Sequence, residues 1–341
     1  MGGHLQVTVA YEGLRVLKAA ASAPGKVILT GEHFVVYGEP ALVMAINRYV
    51  QVAAEERLDK AIHVSSPLAS GFFEGNSFRA DTGGADAREI LEPFKIAAEA
   101  TMKSLGERRG LNLEVESTIP VAVGLGSSGA SAVSTVAAVG RLFGADLSRG
   151  SIVSLSTESE RYVHITPSGI DQSISTYGGV VSYRRGEGIS PLRIKSTIPV
   201  VIGNTGVSRN TGRLVDNVRI RVERLPELMK PLIGAAGKLT LQAIDALKRG
   251  DLDELGLLMD VNHGLLTTIG VSSEALDRLV YAAKRGGALG AKLTGAGGGG
   301  CIVALSSSDG REGVAKVISE AGGTPIVAEN VDGGVRSWTV K

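Results

Sequence analysis

Lys26 is the first residue of this chain whose type and setting could do chemistry. It stands among apolar neighbours in Ala23-Pro24-Gly25-Lys26-Val27-Ile28-Leu29. A lysine turned inward from such a strand needs a carboxylate or a phosphate to offset its charge, whereas a lysine on an edge strand simply faces solvent. Glu160 and Asp171 flank the turn His164-Ile165-Thr166-Pro167-Ser168-Gly169. One of these acids could hold a metal and the other accept a proton, although such a pair also reads as a helix charge and a helix N-cap.

Two glycine-rich segments carry a different chemistry. In Pro120-Val121-Ala122-Val123-Gly124-Leu125-Gly126-Ser127-Ser128-Gly129-Ala130, glycines let the backbone turn its N–H groups outward just before a helix. The helix N-terminus adds positive potential, which suits a phosphate, and the two serine hydroxyls suit a phosphate or Mg²⁺. No Gly-Lys-Ser/Thr follows, so it is not a P-loop, and the dinucleotide spacing is also absent. A capped helix packed closely through glycine is the alternative. The second segment, Lys292-Leu293-Thr294-Gly295-Ala296-Gly297-Gly298-Gly299-Gly300-Cys301, has five glycines in six positions. Their conformational entropy is offset by close approach of a ligand, unless the segment is a flexible linker.

The elements that must position these groups follow from periodicity. Leu111 to Glu116 alternates with period two, a half-buried strand leading into the first glycine loop, and Ser128 to Phe143 follows as a helix of small residues. Ile90, Phe94, Ala97, Thr101 and Leu105 recur at helical spacing, with Gly106 and Gly110 helping to end that helix. A hairpin-like segment spans Val180 to Lys195, and a short apolar strand follows at Ile198 to Ile202. The domain boundary is placed there, giving residues 1–195 and 196–341. Helical patterns occupy Leu225 to Leu247, Leu255 to Leu265 and Leu276 to Ala283. Strands follow at Cys301 to Leu305, Pro325 to Ala328 and Val335 to Val340, so the fold class is α+β, without a repeat of fixed period.

Composition bounds the function classes. The 341 residues hold 36 Lys and Arg against 35 Asp and Glu, a net charge of +1, so no global field favours nucleic acid. The single Cys301 cannot form an internal disulfide and, with five scattered histidines, completes no zinc spacing; a reducing, cytoplasmic setting fits. Met1 to Ala20 lacks a continuous apolar run and does not read as a signal peptide. The uncharged stretch from Ser117 to Gly140 is broken by Pro120 and several glycines and is rich in Ala, Val, Ser and Thr, which argues against a membrane span.

Taken together, Ser22-Ala23-Pro24-Gly25-Lys26-Val27-Ile28-Leu29-Thr30-Gly31-Glu32-His33 to Gly38, the Pro120 to Ala130 loop and Lys292 to Gly300 resemble, in order, the three motifs of the GHMP small-molecule kinases. Pro167 to Asp171 with Ser175 to Gly179, Asn204 to Thr211, and Leu258 to Val271 are most similar to the mevalonate kinase branch, and the likeness runs from about Ala21 to Leu305. The resemblance implies an N-terminal domain like the second domain of ribosomal protein S5, a ferredoxin-like C-terminal domain, and transfer of a phosphoryl group from ATP to the 5-hydroxyl of mevalonate with Mg²⁺. It implies Asp171 as base and Lys26 as its partner, and Ser128 and Glu160 as Mg²⁺ ligands. Contacts to ATP would come from Pro120, Val123, Gly124, Leu125, Gly126, Ser127, Ser128, Gly129, Ala130, Gly297 and Gly298. Glu32, His33, Arg209 and Thr211 would lie near the substrate, with Arg209 suited to its carboxylate. A homodimer is the implied assembly. Thr30 and Ser131 depart from members that carry histidine and tyrosine there. Other kinases of the superfamily, acting on phosphomevalonate, a sugar or homoserine, are the rival reading, together with a relative that senses a ligand without catalysis.

Overall fold

The computed structural model describes residues 18–120, 124–163, 169–194, 196–208 and 211–340. Two long antiparallel strands open it, β1 (Lys18–Thr30) and β2 (Ala41–Arg57), followed by β3 (Ile62–Ser65), β4 (Ser70–Glu74) and β5 (Ser77–Thr82). Helix α1 (Ala87–Leu105) then leads to β6 (Gly110–Ser117), and α2 (Ser127–Leu142), α3 (Arg149–Val163) and α4 (Ile170–Tyr177) precede the hairpin β7 (Val180–Arg184) and β8 (Gly188–Leu192). The second half runs β9 (Pro199–Asn204), α5 (Thr211–Arg224), α6 (Pro226–Arg249), α7 (Leu252–Thr268), α8 (Glu274–Arg285) and β10 (Gly290–Thr294). It ends with β11 (Cys301–Leu305), α9 (Arg311–Glu320), β12 (Thr324–Glu329) and β13 (Arg336–Val340).

The larger sheet has the order β13-β1-β2-β6-β3-β4-β5, with β7 and β8 branching from β2. Within it β3 and β6 run parallel. The smaller sheet, order β10-β11-β9-β12, is antiparallel at every pairing, which is the strand order of a ferredoxin-like βαββαβ unit. The two-domain α+β architecture is therefore as expected.

Small side chains bring the first domain together. Ala19, Ala21 and Ala23 on β1 are buried, and α2 is built largely from Ser, Ala and Val, so helix and strand approach closely without large side chains between them. The other helices follow the apolar stripes in the sequence, and α1 ends at Gly106 in the left-handed conformation. A second core lies beneath α6, α7 and α8, and Phe34, from the turn after β1, is buried in it with Met229 and Ile233. The first domain thus reaches into the second at the end of β1.

The division at 195/196 needs one correction. β13 pairs with β1 from Lys18↔Val340 to Ser22↔Arg336, so the last strand returns to the first domain's sheet. The outer edge of β1 offers unpaired backbone groups, and a strand from the far end of the chain satisfies them as well as a neighbour would. Lys195 and residues 1–17 lie outside the described residues. Among the described residues, no helix is long and apolar enough to cross a membrane.

Candidate active site

Lys26 is not on an open edge. β2 covers one side of its strand, and on the other its N–H donates to the Leu125 carbonyl at 2.8 Å, so the first glycine loop lies along β1. The side chain is 7% exposed, and its Nζ stands 3.2 Å from Oδ1 of Asp171. Asp171 occupies the first turn of α4, and its side chain is 23% exposed, buried enough to be fixed and open enough to meet a substrate.

The loop glycines permit this geometry. Gly126 has φ +75°, and a Cβ there would lie 2.8 Å from Cγ of Lys26. A Cβ at Gly129 would lie 2.7 Å from the Asp171 carbonyl carbon, so α2 and α4 touch backbone to backbone. Gly126 sits at the N-cap of α2, where no side chain caps the helix, so of the alternative reading only the close packing through glycine is present. The first N–H groups of α2 stay available to an anion.

Glu160, from α3, is 2% exposed, and its Oε1 has no hydrogen-bond partner. Burial, reinforced by the charge of Asp171, pushes its carboxyl up to about 7, against the opposing effects of the Ser128 hydroxyl and Lys26. An orphaned carboxylate oxygen beside a serine hydroxyl suits a hard divalent cation. Among the described residues no group of three or more His, Cys, Asp or Glu gathers as a metal site. Sparse protein oxygens of this kind fit Mg²⁺, which takes much of its shell from phosphate and water.

These groups line a cavity of about 1340 Å³ that runs from Lys26 and Asp171 past the N-terminus of α2 to an apolar end at Leu68, Ile90, Pro93 and Phe94. Pro120, Gly124, Gly126, Ser127 and Ser128 line it, as do Glu32, His33 and Thr211. Leu125, Gly129 and Ala130 are buried and do not line it. Gly297 and Gly298 also fall outside the lining, where Gly295 and Ala296 are the members of the second loop. A side chain on Gly297 would run into the Val271 carbonyl, and the Gly298 N–H is spent on that same oxygen at 2.8 Å. Val123 and Arg209 lie outside the described residues.

Glu32 and His33 sit where the domains meet. His33 is the one non-glycine with positive φ among the described residues, at 61°, and its Nε2 is 2.9 Å from the Ala296 carbonyl. Glu32 is buried in an ion pair with Lys292 of β10. Burial pushes Glu32 up and Lys292 down, and their mutual attraction opposes both. Sequence reading treated Lys292 only as the start of a loop. Its signal was a charge inside an apolar strand, as for Lys26, with a partner 260 residues away. Arg185, which also lines the cavity, was missed as well, because it lies among exposed charged residues of the β7–β8 turn.

Comparison with known proteins decides the family. The GHMP kinases N terminal domain matches residues 92–179, and the GHMP kinases C terminal domain matches residues 243–323. The chain is 41% identical over 324 residues to a mevalonate kinase of Pyrococcus furiosus, covering 92% of this chain and 96% of that one. It is 38% identical to the mevalonate kinase of Aeropyrum pernix, over 84% and 88%. The chain belongs to the mevalonate kinase family of the GHMP kinases. The solved L. major mevalonate kinase in complex with R-mevalonate superposes with TM-score 0.80 at 29% identity, covering 92% of this chain and 96% of that one. A Lactococcus lactis galactokinase, at 22% identity and TM-score 0.75 over 94% and 95% of the two chains, shares the fold.

Proposed function

We propose that the cavity transfers a phosphoryl group from ATP to the 5-hydroxyl of mevalonate, with Asp171 as the base. Phosphorylation of mevalonate is this chain's activity, as it is for relatives named mevalonate kinase that match across nearly their whole length. The observation that carries the residue assignment is the Lys26–Asp171 ion pair at 3.2 Å, inside the cavity that the uncapped α2 N-terminus also lines.

In this reading the N–H groups at the start of α2 hold the phosphates, and Asp171 takes the proton as the 5-oxygen attacks the terminal phosphorus. ADP leaves. Lys26 steadies the carboxylate and the negative charge growing on the attacking oxygen, a charge effect stronger for being buried. Ser128 and Glu160 would hold Mg²⁺, which supplies charge neutralisation on the phosphate oxygens. Arg209, by its position in the motif, and Arg185, by its place in the cavity wall beside Tyr183, are the guanidinium groups suited to the substrate carboxylate.

The test is ADP release across mevalonate, phosphomevalonate, galactose and homoserine. Mevalonate should give the highest kcat/KM, and a higher value for any other acceptor overturns the substrate. Glu160→Gln and Ser128→Ala should each raise the Mg²⁺ concentration needed for half-maximal rate. Unchanged Mg²⁺ dependence in both removes them from the metal site.

A further inference from the structure

The end of β1 gathers more acid than Lys26 can serve. Asp171, Glu160 and Glu32 all line the cavity with Lys26. Lys26 forms its ion pair with Asp171, and Glu32 and Glu160 line the same cavity beside it. Among the described residues, Glu32 alone of the three has a second cation, Lys292, and that pair is buried, with side-chain exposures of 0% and 1%.

The Lys292 ammonium has no donor to spare. It donates to the Glu32 carboxylate, to the Leu293 carbonyl at 2.6 Å and to the Ile28 carbonyl at 3.4 Å. Three acceptors around a buried nitrogen are the environment of a charged ammonium rather than a neutral amine. Glu32 is held further by Asn262, whose Nδ2 lies 3.5 Å from Oε2 and whose Oδ1 accepts the Gly31 N–H at 3.3 Å. The partners come from β10 and α7 of the second domain, while Lys26 and Glu32 belong to β1 and the turn after it.

We propose that Lys292 is a positioning residue for phosphoryl transfer: by neutralising Glu32 from the second domain, it reserves the Lys26 ammonium for Asp171. This rests on the reading of Lys26 and Asp171 given above. Without Lys292, Glu32 is a buried carboxylate whose remaining cation among the described residues is Lys26, and Lys26 is drawn away from the base it steadies.

The experiment is a double-mutant cycle on kcat, normalised to folded enzyme by thermal melts, with Lys292→Met, Lys26→Met and the two combined. Lys292→Met should lower kcat about 10- to 100-fold with KM for ATP and mevalonate changed less than about threefold, because the loss falls on the charge at the reacting oxygen. In the Lys26→Met background the same substitution should cost less than about twofold, since the group it protects is gone. A merely structural role would cost the same factor in both backgrounds, and that result overturns the proposal. So does an unchanged kcat in Lys292→Met. If Lys292→Met does not fold, Lys292→Gln, which keeps a donor for Glu32, carries the same expectations. If Lys26→Met itself leaves kcat intact, the reading of Lys26 fails instead, which separates the two outcomes.

Discussion

The two glycine loops look alike in sequence and do different work. Glycines of the first loop make room for the residues of the proposed site: Gly126 accommodates the Lys26 side chain, and Gly129 lets α2 meet the backbone of Asp171. Glycines of the second make room for the chain itself, with Gly297 against Val271 and Gly299 against Val207. The first loop leaves backbone N–H groups open at the start of α2, whereas the second spends those of Gly298 and Gly300 on Val271 and Val207 at 2.8 and 2.9 Å. A run of glycines therefore signals close approach without saying to what.

This contrast can be broken by substitution. Asp171→Asn, at the floor of the first loop, should lower kcat by about 10²- to 10⁴-fold with little change in melting temperature or ATP affinity. Retention of more than about half the rate would remove Asp171 as base. Gly129→Ala pushes α2 away from α4 and should lower kcat roughly 10- to 100-fold, because a displaced base is out of line with its proton. A purely thermal defect there would make the first loop as structural as the second.

Gly297→Ala should act in the opposite manner. Its φ is +79° and its Cβ would meet the Val271 carbonyl, so stability should fall by about 2–4 kcal/mol from backbone strain and overpacking. Melting temperature is the measurement, and KM for ATP is the control. A raised KM for ATP with an unchanged melting temperature would return Gly297 to the nucleotide site.

The smallest effect concerns pH. His263 accepts the Leu293 N–H through Nδ1 at 3.4 Å and meets Asp277 through Nε2 at 3.1 Å, so it props β10 just before the second loop. Burial holds its imidazole below the ordinary value of 6.5, although Asp277 opposes this. The unfolded chain takes up a proton below about 6.5 that the folded chain resists, so stability is full above that pH and declines as pH falls. Melts between pH 7.5 and 5 should show a shallower decline for His263→Gln than for the parent. An identical slope would exclude His263 as a source of acid sensitivity.

Local pattern and residue type determined much of this protein. The strand before the first loop, the small-residue helix after it, and the amphipathic helices of the second half are periodic in sequence because one face of each is buried. Lys26, Ser128, Glu160 and Asp171 took their expected roles from the family resemblance, because residue type alone left Lys26 readable as an edge lysine and the two acids as a helix charge and an N-cap. Three things were decided only by tertiary structure. β13 pairs with β1 across the whole chain, since an edge accepts any strand that presents free N–H and C=O groups. Which residues of each loop face the cavity depended on what packs beneath them, Lys26 and Asp171 in one case and Val271 and Val207 in the other. Lys292 gained its meaning from Glu32, 260 residues away in sequence, because the need of a buried charge for a counter-charge is written in every lysine and its fulfilment only in the fold.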